Sequence, residues 1–456
     1  MIATPQWPSP VPKSKDQPTV EHATTVASSQ VCTRWRSIAL NCHTIWSLII
    51  DYRRHSLKWI ETLLNPSNPS PLDFGSRFRN VYLEDGGEEK LNLVFNHIDR
   101  LTIFNLYVPA RGWELVCSRF LQLPAPNLKF MLVFLEGVSG HLTHPLFNNH
   151  APKLQSLSLG IFRVDFTSPV LTPLTELHVD NIQKNSHPTS LDWLNILGGM
   201  PSLRSVRLSG AISSGSHSDI FSFIHLDALE MLDVDGPIQE CVTLVKHLIV
   251  PPRCGLYLKC DHARLGFDQR QLWAIIEKKI DSWAKNAPYR CLNAEASTGY
   301  VDIGNIPRED DGWDSEERDP AMSISLNLSN GEETVPLSNS LFALFERTFC
   351  DTTCLFLWIE DCPFTPSVDL FRDFVNLEKL IVRDDSLLKL LFPLLQHPNP
   401  VLLPTLKYLH FSDVTFQDGS DSIHRVADFL QWRRKQGFPV QKIAIAVTGL
   451  LIGNTY

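Results

Sequence analysis

Ala151-Pro152-Lys153-Leu154-Gln155-Ser156-Leu157-Ser158-Leu159 carries apolar residues at Leu154, Leu157 and Leu159, with two variable positions and then one between them. The same template recurs at Phe78/Val81/Leu83, Ile98/Leu101/Ile103, Leu128/Met131/Val133, Leu174/Leu177/Val179, Leu203/Val206/Leu208 and Leu229/Leu232/Val234. It resumes at Leu377/Leu380/Val382, Leu406/Leu409/Phe411 and Val440/Ile443/Ile445. From Phe78 to Leu229 the copies follow one another at roughly 25 residues per step. Side chains alternate across a strand, so the last two apolar residues of each copy share one face while the first turns inward from the preceding loop. One copy cannot cover its own apolar face, and neighbours must therefore stack. Pro152, Pro201 and Pro404 each precede a copy, where a fixed φ and a missing N–H suit entry into an extended segment.

Between these strands the spacing predicts helices at 190–197, 241–249, 371–375 and 423–435. Strand and helix thus alternate, which predicts an α/β fold: a right-handed solenoid with a parallel sheet. Template and period resemble those of leucine-rich repeats. The array, taken as residues 70–456, carries an insertion near 260–320. That insertion includes an amphipathic helix over 267–286, with Leu272, Ile275, Ile276, Ile280 and Trp283 three and four apart. An acidic run over 308–320 reads as a solvated loop. Less regular strands are expected at 253–258, 321–328 and 353–358.

Ahead of the array, residues 1–29 hold Pro5, Pro8, Pro10, Pro12 and Pro18 among Ser, Thr and Lys, a composition expected to remain a disordered tail. Residues 30–66 turn helical. Val31, Trp35, Ile38 and Ala39 fall on one face, Asn41 and Cys42 end that helix, and Ile45, Trp46 and Ile49 form a second apolar cluster. A third helix, 56–64, is expected to stop at Asn65-Pro66.

The string Val31-Cys32-Thr33-Arg34-Trp35-Arg36-Ser37-Ile38-Ala39, with Trp46 eleven positions after Trp35, resembles the second half of an F-box, followed in the style of fungal F-box proteins by divergent leucine-rich repeats. The resemblance implies a small helical cap whose Val31, Cys32, Arg34, Trp35, Ile38, Ala39 and Trp46 contact a Skp-type adaptor. Repeats would then present a substrate to a cullin ubiquitin ligase. The chain departs from the family in one respect. The L-P-x-E turn and following helix of the first half, which make much of the adaptor contact, have no counterpart in residues 1–30. A purely structural cap on the first repeat accounts for the same residues.

The full chain of 456 residues is 43% hydrophobic and 20% charged with a net charge of −9, ordinary globular usage without a basic stripe for nucleic acid. No apolar run is long enough for a membrane span. Ten cysteines form no CxxC pair and no regular framework, so reduced thiols and a cytoplasmic or nuclear location are expected. Of Cys254/Cys260/His262 and Cys350/Cys354/Cys362, only Cys350-x3-Cys354 has the spacing of a structural zinc pair, and its surroundings, Leu355-Phe356-Leu357-Trp358, read as a buried strand. His141, His144 and His150 have no carboxylate arranged among them. Neither a phosphate-binding glycine loop nor a local catalytic signature occurs, and Trp432-Arg433-Arg434-Lys435 reads as cations complementing a helix C-terminus. The expectation is a non-catalytic recognition protein without metal or cofactor. Its concrete form is a ligase substrate receptor. The alternative is a solenoid scaffold that no longer binds the adaptor.

Overall fold

In the computed structural model the chain divides into two units, Met1–Lys184 and Asn185–Tyr456. The structure describes residues 32–75, 81–82, 87–136, 140–142, 144–180, 188–215, 223–252, 254–261, 277–278, 291–297, 300–305, 322–327, 352–359, 371–372, 374–383, 391–396, 401–412, 421–447 and 450–454.

The first unit begins with α1 (Thr33–Asn41), α2 (His43–Leu48) and α3 (Leu57–Ser67). The helix α3 runs past the expected stop at Asn65 and holds Pro66 in its last turn. Three strands, β3 (Leu101–Pro109), β4 (Phe130–Glu136) and β5 (Ser156–Gly160), are joined in a parallel sheet by β6 (Glu176–Asp180). On its other edge β3 pairs in parallel with β1 (Leu72–Phe74) and β2 (Val81–Tyr82).

Register places the template's apolar positions opposite one another. Phe104, Met131, Leu157 and Leu177 form one rung, and Leu106, Val133, Leu159 and Val179 the next. All are buried. The aromatic members fill the space beneath: Phe104 lies 3.8 Å from Phe120 between ring centroids, and Phe120 lies 5.1 Å from Phe95 of the helix α4 (Gly87–Phe95).

One expected copy is corrected. In place of Ile98/Leu101/Ile103, the buried triplet is Leu101/Phe104/Leu106, with Ile98 and Ile103 only half-buried. A strand's side chains alternate faces, so pairing Phe104 with Met131 necessarily turns Ile103 to the other side. The sequence alone offered two apolar triplets around Leu101, and the neighbouring strand selects one.

The second unit contains α5 (Ser190–Gly198), capped by Thr189 and Asp192 reciprocally, then β7 (Ser205–Ser209), β8 (Met231–Pro237), α6 (Ile238–His247) and β9 (Gly255–Asp261). β7, β8 and β9 are parallel neighbours, with Val206/Leu232/Leu256 and Leu208/Val234/Leu258 in register. The order then departs from simple succession. β10 (Cys291–Ser297) and β11 (Tyr300–Asn305) are antiparallel to each other, as are β11 and β12 (Met322–Asn327). The strand next to β9 is β12, not β10. β10 pairs instead with β13 (Cys354–Ile359), from which β14 (Lys379–Arg383), β15 (Tyr408–Ser412) and β16 (Lys442–Val447) continue in parallel. β17 (Leu450–Asn454) closes antiparallel against β16.

Over this stretch the sheet is therefore not wholly parallel. Two strands inside the 260–320 interval enter the sheet as a meander, and the polar, mixed pattern of 291–305 carries no template to announce them. The expected strands at 253–258, 321–328 and 353–358 correspond to β9, β12 and β13. The expected helix 267–286 lies outside the described residues except for 277–278, and the acidic run 308–320 lies wholly outside them.

The last helix, α7 (Asp421–Lys435), ends in Arg433-Arg434-Lys435, and its structure revises the reading of that basic cluster. Arg433 is fully buried. It donates to the carbonyls of Leu402 (3.1 Å), Leu403 (3.0 Å) and Phe438 (3.0 Å). Burial lowers its pKa to about 10, which still leaves it cationic at neutral pH. Its principal role is thus to satisfy carbonyls of the 402–406 turn rather than to face solvent at a helix end.

Candidate functional site

Two surfaces have features beyond packing, and the first is the helical segment. The helix α1 starts at Cys32, whose Sγ accepts from the Trp35 N–H at 3.5 Å. Trp46 of α2 is buried, and its Nε1 donates to Ala39 O at 2.6 Å, locking α1 to α2. His43 Nδ1 lies 2.7 Å from Pro66 O at the end of α3. Arg100 donates to Ser67 O (2.8 Å) and Ser70 O (2.7 Å), fastening the end of α3 to the sheet.

Of the residues singled out from the sequence, this arrangement brings Trp46 and Ala39 together. It leaves four others on the outside. Cys32 and Arg34 are exposed, Trp35 is 56% exposed and Ile38 59%. Leu48 is more exposed still. Val31 lies outside the described residues. The Trp35 side chain projects from α1, whereas Trp46 of α2 is buried.

The second surface was not singled out from the sequence. On the side of the first unit's sheet opposite the core, Tyr82, Tyr107 and Phe134 occupy one rung. Tyr82 lies 5.0 Å from Tyr107 and Tyr107 stacks on Phe134 at 5.1 Å with 10° between planes. The next position on that rung is Gly160, and the one after it Asp180. An added Cβ at Gly160 would fall 2.4 Å from the Phe134 ring, so the missing side chain is what lets that ring lie across β5.

Beside this aromatic row, Ser158 Oγ is 3.3 Å from His178 Nδ1, and His178 Nε2 is 3.0 Å from Asp180 Oδ1. The three side-chain types are those of an acyl-transfer triad, but Ser158 sits in mid-strand with β4 and β6 on either side. Backbone N–H groups there belong to the sheet ladder, whereas an oxyanion needs donors aimed at it. Burial, then the neighbouring Tyr82 and Asp180, raise the pKa of Tyr107, so its phenol stays protonated at neutral pH. A sequence signal for this surface does exist: Tyr107 and Phe134 each directly follow the last apolar residue of a triplet, Leu106 and Val133.

Gly160→Ala is expected to push the Phe134 ring off β5 and destabilise the first unit by about 1 to 2 kcal/mol. Urea unfolding, with near-ultraviolet circular dichroism to follow the tyrosines, checks this; an unchanged aromatic signal would contradict the proposed role of the glycine.

The open face of β7–β9 is of another kind. Arg207 pairs with Asp233 at 2.6 Å and Lys259 with Asp235 at 3.5 Å, so cation and carboxylate alternate across the strands. As for the cysteine and histidine groups, Cys254 and Cys260 are buried. Cys254 Sγ lies 3.4 Å from Gly255 O. A hydrogen bond from the Cys241 thiol to Cys260, reinforced by burial, raises the pKa of Cys241. His262, Cys350 and Cys362 lie outside the described residues. Among the described residues no group of three or more His, Cys, Asp or Glu could hold a metal ion, and no helix is long and apolar enough to cross a membrane.

Fold and surfaces together define a mixed α/β protein with mostly parallel sheets and two faces of distinct chemistry. No protein-family model matches the chain. No curated protein matches it either. Among solved structures, the chain is similar to a structural-genomics target from Bacteroides fragilis at 13% identity, covering 73% of this chain and 68% of that one, with a TM-score of 0.19.

Proposed function

We propose that the protein is a non-catalytic recognition subunit: a leucine-rich-repeat-like solenoid carrying a partial F-box that docks a Skp-type adaptor of a cullin ubiquitin ligase. The observation that carries the adaptor half is the exposure of Trp35 at 56% and Ile38 at 59% on the helix α1. Large apolar side chains projecting side by side from a helix are a feature of interaction surfaces. The solenoid half draws support from the buried triplets that meet rung by rung in parallel strands. A cytoplasmic or nuclear site of action accompanies this reading. The lack of a first F-box half in residues 1–30 favours a second reading, a scaffold of the same build without the adaptor.

Co-expression of the full-length chain with a Skp-type adaptor separates the two. Capture of the adaptor by the parent, and its loss in Trp35→Ala, is the expected result. Because Trp35 is exposed, the substitution is expected to change stability by no more than about 0.5 kcal/mol, so a melting curve shows whether lost capture reflects a lost contact. Failure of the full-length parent to bind the adaptor would sink the ligase reading and leave the scaffold.

A further inference from the structure

The sheet face bearing Tyr82, Tyr107 and Phe134 has a one-sided charge pattern. Its strand positions supply Asp73 beside Ile103, Glu176 beside Ser156 and Asp180 beside Gly160, and none of the described strand positions on that face is Lys or Arg. The positive partner that Asp180 has is His178, at 3.0 Å, which forms a salt bridge only when its imidazole is protonated. Asp73 accepts a hydrogen bond from the neutral hydroxyl of Thr102. On the β7–β9 face, by contrast, Asp233 and Asp235 each have a permanent cation, Arg207 and Lys259.

Carboxylate and aromatic groups also converge. The rings of Tyr82, Tyr107 and Phe134 follow one another at 5.0 and 5.1 Å. Gly160 contributes no side chain between Phe134 and Asp180, and the Asp180 charge is felt at the Tyr107 phenol. Tyr82 remains 43% exposed. Aromatic faces attract a cation through their quadrupole, and a carboxylate at the end of the row adds direct charge attraction.

We infer that this face binds an extended segment of a protein partner through a Lys or Arg side chain, laid on the Phe134 ring with its charge toward Asp180 across Gly160. The inference rests on the recognition reading above and names the chemistry of its partner: a basic segment rather than an acidic one. Tyr107 and Leu132, half-buried on the same face, supply apolar contact for the residues flanking the cation.

Immobilised decapeptides test this with the full-length chain in solution. All carry one central Phe, followed by Arg, Lys, norleucine or Glu in otherwise identical Gly/Ser sequences. The Arg and Lys peptides are expected to bind at least about fivefold more tightly than norleucine, and Glu most weakly. Asp180→Asn and Phe134→Leu should each erase most of that preference, while Lys259→Gln in the second unit should leave it intact. Equal binding of Arg and norleucine peptides, binding of none, or a preference untouched by Asp180→Asn would overturn the inference. Adaptor capture is scored separately. Cation-selective binding without adaptor capture defeats the ligase reading alone, and adaptor capture without cation selectivity defeats this inference alone.

Discussion

Arg433→Ala is expected to destabilise the C-terminal part of the second unit by about 3 to 4 kcal/mol, toward the upper end of what a single substitution causes. The reason is the set of partners. The guanidinium donates to Leu402 O, Leu403 O and Phe438 O, all within 3.1 Å, from a fully buried position. Removing it strands carbonyls of the turn that feeds β15, and each buried orphan costs roughly 1 to 3 kcal/mol before water relaxes the site. Arg433→Lys should recover less than half of the loss, because one ammonium cannot reproduce a planar fork that reaches several carbonyls. Hydrogen exchange resolved by segment is the measurement: protection should fall in β15 and α7 and persist in β7–β9. Equal stability of the alanine variant and the parent would show that water serves these carbonyls as well as the guanidinium does.

Trp193→Ala is expected to cost about 3 to 5 kcal/mol, by the usual sum of lost apolar burial and residual cavity. Among the described residues Trp193 is the bulkiest fully buried side chain; it sits on α5 with Leu194 and Leu197, and its Nε1 donates to Ala211 O at 3.0 Å. The same corner is tied by Glu240, whose carboxylate accepts from Gly215 N at 2.9 Å and Ser190 N at 3.4 Å. Trp193→Phe separates packing from the hydrogen bond. It keeps much of the volume, leaves Ala211 O without that donor, and should cost about 1 to 3 kcal/mol. Denaturant midpoints at constant slope report both variants. A phenylalanine variant as unstable as the alanine one would assign the effect to the hydrogen bond alone.

The strands themselves were readable because their signal is local and periodic. Leu154/Leu157/Leu159, Leu174/Leu177/Val179 and Leu406/Leu409/Phe411 are buried as the spacing requires, since alternation of side chains follows from backbone geometry whatever the neighbours are. Around Leu101 the local pattern admitted two registers, and the choice of Phe104 over Ile103 came from the facing strand. Nor could spacing show that β10 and β11 join the sheet, because their pairing with β12 and β13 is long-range and their residues carry mixed polarity.

The helical segment divides the same way. Amphipathic spacing located α1 and grouped Trp35 with Ile38, but whether that stripe faces inward or outward depends on what packs against it, and here Trp46 takes the interior place. The basic cluster of α7 likewise reads as solvated until the turn at 402–406 is placed around Arg433.

By itself, then, the amino-acid order determined that the chain builds short strands alternating with helices, and which leucines each strand buries, because both are set within a dozen residues by backbone periodicity. Tertiary structure alone decided what the opposite face displays. The aromatic row meets Asp180 across Gly160 only because five strands separated in sequence align in one register, and no local pattern encodes an alignment between segments that touch only after folding.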